Sequence, residues 1–336
     1  MRIQGLARER GRHWTGGPTM GRTVPRARAA AIALAALLGL GAGAWQAGPH
    51  VAGARAAVAD PRPAEAGSGR DSATAAAPAV ARYLSPSGSD ANPGTFAAPL
   101  LTLQRALTKL RPGDTLYVRG GTYNVTRRIT HATVAGRSSA PIVITNYPGE
   151  FPVFTSSVLQ VEYIDFDGGS QYVTVSGLTF KGPDLGALDD NGESLIGFTG
   201  NASHITLQGN TFLGSPAWNS QQHLVYFEGP GTDLTVSGNV FDGRGSKGDA
   251  ITSYHEPNET NVTVTGNTIR NFDQGIVVWS TISGLRITNN TFAGCRIGIR
   301  HHNSDGTTVS GNRTSDVSYP LLADSTLNLI QSGNNW

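Results

Sequence analysis

From residue 171 onward the chain repeats one short pattern. Apolar and polar residues alternate, a Gly-Asn pair interrupts them, and a β-branched residue resumes the run, often followed by Phe. The copies are QYVTVSGLTF at 171, SHITLQGNTF at 203, TDLTVSGNVF at 232, TNVTVTGNTI at 260, SGLRITNNTF at 283, DGTTVSGNRT at 305 and a weaker NLIQSGNNW at 328. Alternation with period two predicts short strands, and no helical period runs through these copies. Aligned on the turn, one position is Leu178 in the first copy and then Asn210, Asn239, Asn267, Asn290, Asn312 and Asn334. The successive spacings are 32, 29, 28, 23, 22 and 22 residues, so the base unit is 22 residues and the earlier copies carry insertions.

A unit of this length forms short strands that cannot bury an apolar face alone, and stacking solves that problem. Equivalent strands then lie about 4.8 Å apart. The prediction is an all-β solenoid, a right-handed parallel β-helix with coils of 22 residues. The turn asparagines are expected to be structural, each side-chain amide donating to the Asn carbonyl of the next coil. The open ends of such a stack need cover. Leu103, Ala106, Leu107 and Leu110 fall at helical spacing, and Leu101 to Leu110 stops at Pro112-Gly113, so a short capping helix is expected over the first coil. The far end finishes at Trp336 with no evident cap.

Alignment of the first strands places Ile196, Val225, Ile251, Ile276 and Ile299 inward. One outward column is then Gly197, Tyr226, Thr252, Val277 and Arg300, and the next is Thr199, Glu228, Tyr254, Trp279 and His302. The inserted residues fall mostly in segments 181–194, 214–223 and 243–249, at one corner of three consecutive coils. They are expected to raise a wall beside the outward columns.

Composition says where this domain works. A net charge of +2 over 336 residues leaves no electrostatic footprint for nucleic acid. Arg2, Arg8, Arg10, Arg12, Arg22, Arg26 and Arg28 precede an apolar run from Ala29 to Ala44, which is short for a spanning helix and reads as an export signal. The expected organisation is a signal peptide over 1–44 (with Met20 an alternative start), an Ala/Pro-rich linker over 45–81 and a β-helix domain over 82–336. Such a protein is secreted, with no stable membrane insertion after signal cleavage. Cys295 has no intramolecular partner and is expected to be a small buried side chain.

The entry segment YLSPSGSDANPGTFAAPLLTLQRALTKLRPGDTLYVRGGTY, together with the Gly-Asn repeats, resembles the pectate-lyase-like β-helix superfamily over about residues 83 to 336. Its entry is similar to that of family 9 polysaccharide lyases. The resemblance implies a secreted carbohydrate-active protein with a polysaccharide in its groove. The paired in-strand aspartates of family 9 have no counterpart, because Asp189-Asp190 falls in a loop. The segment IGIRHHNSDGTTVSGN resembles the Arg-His segment of family 6 alginate and chondroitin lyases, with His302 where that family has glycine.

Lyase chemistry on a uronic acid polymer needs a cation for the substrate carboxylate and a base for the neighbouring proton. Arg300 is the expected carboxylate partner, with His302 or Tyr254 as base. In a second arrangement Lys247 is the base, and Ca²⁺ is held by the loop acids Asp189, Asp190 and Glu193, with Asp184 beside them. Tyr226 and Trp279 are expected to stack on sugar rings, and Glu228 to contact substrate. His301 should point inward as a structural histidine, and His223 is read as a ladder or turn residue. A glycoside hydrolase would need two carboxylates, for which Glu228 and Asp249 are the pair on offer. A non-catalytic polysaccharide-binding protein is the remaining alternative.

Overall fold

The computed structural model describes residues 78–126, 133–158, 162–185, 193–220, 222–254, 259–302, 304–324 and 328–336. The expected signal peptide, all but the last residues of the expected linker, and Asp189 and Asp190 lie outside the described residues.

Period-two segments become strands that stack in parallel. Among the described residues, ten of them, from Ala81–Leu84 to Ile330–Ser332, pair as one sheet, and thirteen others form a second. Pairing is in register: Val175, Leu207, Val236, Val264, Ile287 and Val309 stand above one another. The second sheet covers two faces of each coil. Strands Val240–Ser253 and Thr268–Val278 run continuously through the corner, and irregularities at Asp242, Ser246 and Asp249 absorb the bend.

Stacking repeats the same contact from coil to coil. Phe154, Phe180, Phe212 and Phe241 form a column of parallel rings with centroids 5.5, 5.3 and 4.8 Å apart. All four are fully buried, and each contributes about 2 kcal/mol of apolar burial. Glycine precedes the ladder residue because the bend needs a left-handed backbone: Gly209 and Gly238 both have φ of 61°. In the copy that reads Asn-Asn, Asn289 takes that conformation instead, at φ 56°.

The asparagine ladder forms as expected. Nδ2 donates to the next coil's Oδ1 at 3.2 Å from Asn210 to Asn239, 3.0 Å to Asn267, 2.9 Å to Asn290, 3.1 Å to Asn312 and 3.1 Å to Asn334. Each Oδ1 also accepts the previous asparagine's backbone N–H, and each Nδ2 donates again to a strand carbonyl, as Asn267 does to Val236. These buried amides are therefore saturated.

The expected N-terminal helix is present but short, Leu103–Leu107. Thr102 caps it, its hydroxyl accepting from the Arg105 N–H at 3.2 Å. Beyond Leu107 the chain tightens into bonds from Lys109 to Ala106 and from Leu110 to Leu107, so Leu110 still reaches the core outside the helix. At the other end Tyr319, Ile330 and Trp336 are exposed. Cys295 is buried.

Candidate functional site

The first strands of successive coils carry the site. Register places Ile196, Val225, Ile251, Ile276 and Ile299 in one inward stack, as the alignment requires. Beside it, Gly197, Tyr226, Thr252, Val277 and Arg300 form the outward column. One step further, three neighbouring coils present Tyr254, Trp279 and His302 together. The Tyr254 and Trp279 rings lie nearly parallel with centroids 6.0 Å apart, and His302 tilts against Trp279 at 5.0 Å. The Arg300 guanidinium sits 4.5 Å from the Trp279 ring centroid.

Arg300 is half-buried against Trp279 and carries no ion pair among the described residues. Arg244, Arg270 and Arg296 are neutralised by Asp184, Asp242 and Asp273 at 3.1, 2.9 and 2.6 Å. Arg300 has no carboxylate partner among the described residues, and its Nε is buried without a hydrogen bond. A half-buried, unpaired guanidinium braced on an indole face suits an incoming carboxylate.

A second row of side chains borders this face, and alternation alone would have hidden it. Leu195, Leu224 and Ala250 belong to the core together with Ile196, Val225 and Ile251. Two consecutive residues therefore point inward, and the residue before them is turned out. That outward row is Ser194, His223, Asp249, Gln274 and Ile297, aligned in register on adjacent strands. Thr252 of the first outward column donates to Asp249 Oδ2 at 3.1 Å, which ties the two rows together.

His223 and Asp249 meet in this row. His223 Nδ1 lies 3.3 Å from Asp249 Oδ2, with both side chains essentially buried. The approach is off the line of a hydrogen bond, so Nδ1 stays without a bonded partner, as do Asp249 Oδ1 and Gln274 Oε1. The His223 ring packs against Tyr226 at 5.4 Å and Tyr254 at 5.7 Å. Burial pushes the Asp249 carboxyl up, against the contacts with His223 and Thr252. Burial, and then the Asp249 charge, push the Tyr254 phenol up, while Arg300 pulls it down. Tyr226 is also raised by burial.

The structure brings Tyr254, Trp279, Arg300 and His302 together, and places other expected residues elsewhere. Tyr226 is 7% exposed and packs on His223, so it offers no open face to a sugar ring. Glu228 is exposed beyond the end of strand Gln222–Phe227, while Asp249 is buried against His223; the two differ in setting from a matched carboxylate pair. Lys247 lines a separate open depression with Arg244, Asn271, Phe272, Asp273 and Gly294. Reading His223 as a ladder or turn residue is corrected by its contacts with both tyrosines. His301 is inward and buried, with Nε2 2.8 Å from the Thr307 hydroxyl.

Glu193 opens strand Glu193–Phe198. Asp184 is occupied by Lys181 at 2.7 Å and Arg244 at 3.1 Å. No group of three or more His, Cys, Asp or Glu gathers among the described residues, and the expected calcium ligands Asp189 and Asp190 lie outside them. The three inserted segments touch one another: the Trp218 indole donates to Pro183 O at 3.1 Å, and Arg244 reaches both Asp184 and Gly214 O. The Trp218 ring lies where a side chain at residue 182 would be, which explains Gly182.

Sequence reasoning offered Asp249 as a hydrolase carboxylate and His223 as a ladder or turn residue; what it missed is that they stand in one row with Gln274. The available signal was three polar residues in successive copies at a position that strict alternation assigns to the core.

Comparison with known proteins agrees with this architecture. Residues 82–196 match the family described as Pel9A-like, right handed beta helix region, and residues 154–292 match a right handed beta helix region. Over 85 residues the chain is 41% identical to pectate lyase PEL9 of Emericella nidulans, covering 25% of this chain and 20% of that protein. It is 34% identical over 137 residues to the uncharacterized protein YwoF of Bacillus subtilis, covering 39% of this chain and 28% of that protein. The chain thus spans less than a third of either relative. The catalytic unit of a thermostable GH87 α-1,3-glucanase from Streptomyces thermodiastaticus superposes with a TM-score of 0.52 at 18% identity, covering 75% of this chain and 43% of that one. That likeness is one of fold.

Proposed function

We propose that this chain, whose residues 82–196 and 154–292 match right-handed β-helix family models, is an exported polysaccharide lyase of the pectate-lyase-like superfamily that cleaves a uronic acid-containing glycan by β-elimination. The observation that carries this reading is the cluster of Tyr254, Trp279, Arg300 and His302 on one outward face of adjacent coils. Trp279 supplies an aromatic face for a sugar ring. Arg300 neutralises the substrate carboxylate and stabilises the carbanion formed when the adjacent proton leaves. His302 and Tyr254 flank the same indole and supply the proton chemistry. The segment shared with pectate lyase PEL9 supports an acidic polysaccharide as the ligand.

Hydrolysis, the alternative reaction on this fold, adds water across the cleaved bond, and elimination does not. Mass spectrometry of the oligosaccharides released from pectate, alginate and glycosaminoglycans separates the two. Products lacking one water at the new non-reducing end support the proposal. Fully hydrated products would assign a glycoside hydrolase, and retention of the polymer without cleavage would assign a binding protein.

A further inference from the structure

We propose that Asp249 and His223 form a buried positioning pair that holds Tyr254 as the general acid of the groove, leaving His302 as the base. The contacts stand on two adjacent coils. His223 touches Asp249 at 3.3 Å and packs its ring on Tyr254, while Thr252 fixes the same Asp249 oxygen at 3.1 Å. Both members of the pair are out of solvent, 1% and 0% exposed, so they act through the tyrosine and do not meet substrate themselves.

The charged and titratable neighbours of Tyr254 come from four strands. Strand Gln222–Phe227 brings His223 and Tyr226, with Glu228 just beyond it. Strand Val240–Ser253 brings Asp249, and strand Thr268–Val278 brings Asp273, whose charge is felt at Asp249. Strand Ile297–His302 brings Arg300 and His302. Asp249 opposes a phenolate at Tyr254 and Arg300 favours one. When the substrate carboxylate takes up Arg300, that favourable charge is spent on the ligand and the opposition of Asp249 prevails. Tyr254 then stays protonated where a proton is needed.

The step balances without a co-reactant. His302 takes the proton from the carbon beside the carboxylate. The electron pair left behind forms the carbon–carbon double bond as the glycosidic carbon–oxygen bond breaks, and the Tyr254 phenol gives its proton to the leaving oxygen. Water then carries the proton from His302 back to Tyr254.

This assignment rests on the elimination reading, but its first test does not need turnover. Tyrosinate absorbance is titrated in the parent protein, Asp249→Asn, Tyr254→Phe and the double variant. The step lost in Tyr254→Phe belongs to Tyr254. Asp249→Asn is expected to move that step to lower pH, by about tenfold in proton concentration, and to move nothing in the Tyr254→Phe background. Asp249→Ser serves if the amide variant does not fold. A Tyr254 step left in place, or a shift that persists without Tyr254, overturns the pairing. In the lyase assay the alkaline limb of kcat/KM should move down with the tyrosine step. If the step moves and no acidic glycan is cleaved, the elimination reading fails while the pairing stands.

Discussion

The Arg300 guanidinium lies 4.5 Å from the ring centroid of Trp279, one coil away, and no described carboxylate claims it. Arg244, Arg270 and Arg296 are each neutralised by an aspartate. Replacing Arg300 with Gln should therefore cost little folding stability, about 1 kcal/mol or less from the lost cation–π contact. Turnover of an acidic glycan should fall by about 100-fold or more. Arg300→Lys should not restore it, since a point charge lacks the planar fork. Thermal midpoints and steady-state rates on the two variants check this.

Asn267→Ala tests the ladder. The change leaves the Asn239 N–H without its acceptor, takes one of two acceptors from the Asn239 side-chain amide, and removes the Asn267 amide donor from the Val236 carbonyl and from Asn290 Oδ1. The expected loss is on the order of 3 kcal/mol or more, read from denaturant midpoints.

His301 should make the fold acid-sensitive. Burial, and then the neighbouring His302, lower its pKa to about 4. The unfolded chain takes up a proton near pH 6.5 that the folded protein refuses until about pH 4. Stability is full above that window and drains away as pH falls through it, by roughly 3 kcal/mol. In His301→Gln the slope of thermal midpoint against pH should flatten there.

Glu259 should act at the other end of the scale. Both its carboxylate oxygens are buried without partners, and burial raises its pKa to about 8. Its folded pKa exceeds its unfolded one, so stability is full at low pH and is lost as pH rises from about 4.5 through about 8. Glu259→Gln should melt above the parent at alkaline pH and close to it in acid. Equal midpoints at alkaline pH would refute this account of Glu259.

Much of the scaffold was legible in the sequence because its determinants are local and repeated. Asn210 to Asn334 and the preceding turn residues mark every coil, and alternation gives the inward stack from Ile196 to Ile299. The site was legible only where alternation holds. Tyr254, Trp279, Arg300 and His302 follow it and stand together on one face. His223, Asp249 and Gln274 lie just before two consecutive inward residues, so a period-two reading does not set them out as one outward row. Tyr226 faces outward as expected, yet the packing of His223 against it was invisible to an alignment of copies. The length of the N-terminal helix escaped for a similar reason: apolar spacing continues to Leu110, while the backbone tightens after Leu107.

The central claim is β-elimination at the Arg300 face. The most direct measurement is ultraviolet absorbance of the unsaturated product on a panel of acidic polysaccharides, run with and without added calcium, for the parent and for Arg300→Gln. The account predicts a steady rise on at least one uronic acid polymer with the parent protein, and a rise about 100-fold slower or none with the variant. A flat trace for the parent across the whole panel, or an undiminished rise with Arg300→Gln, would contradict it.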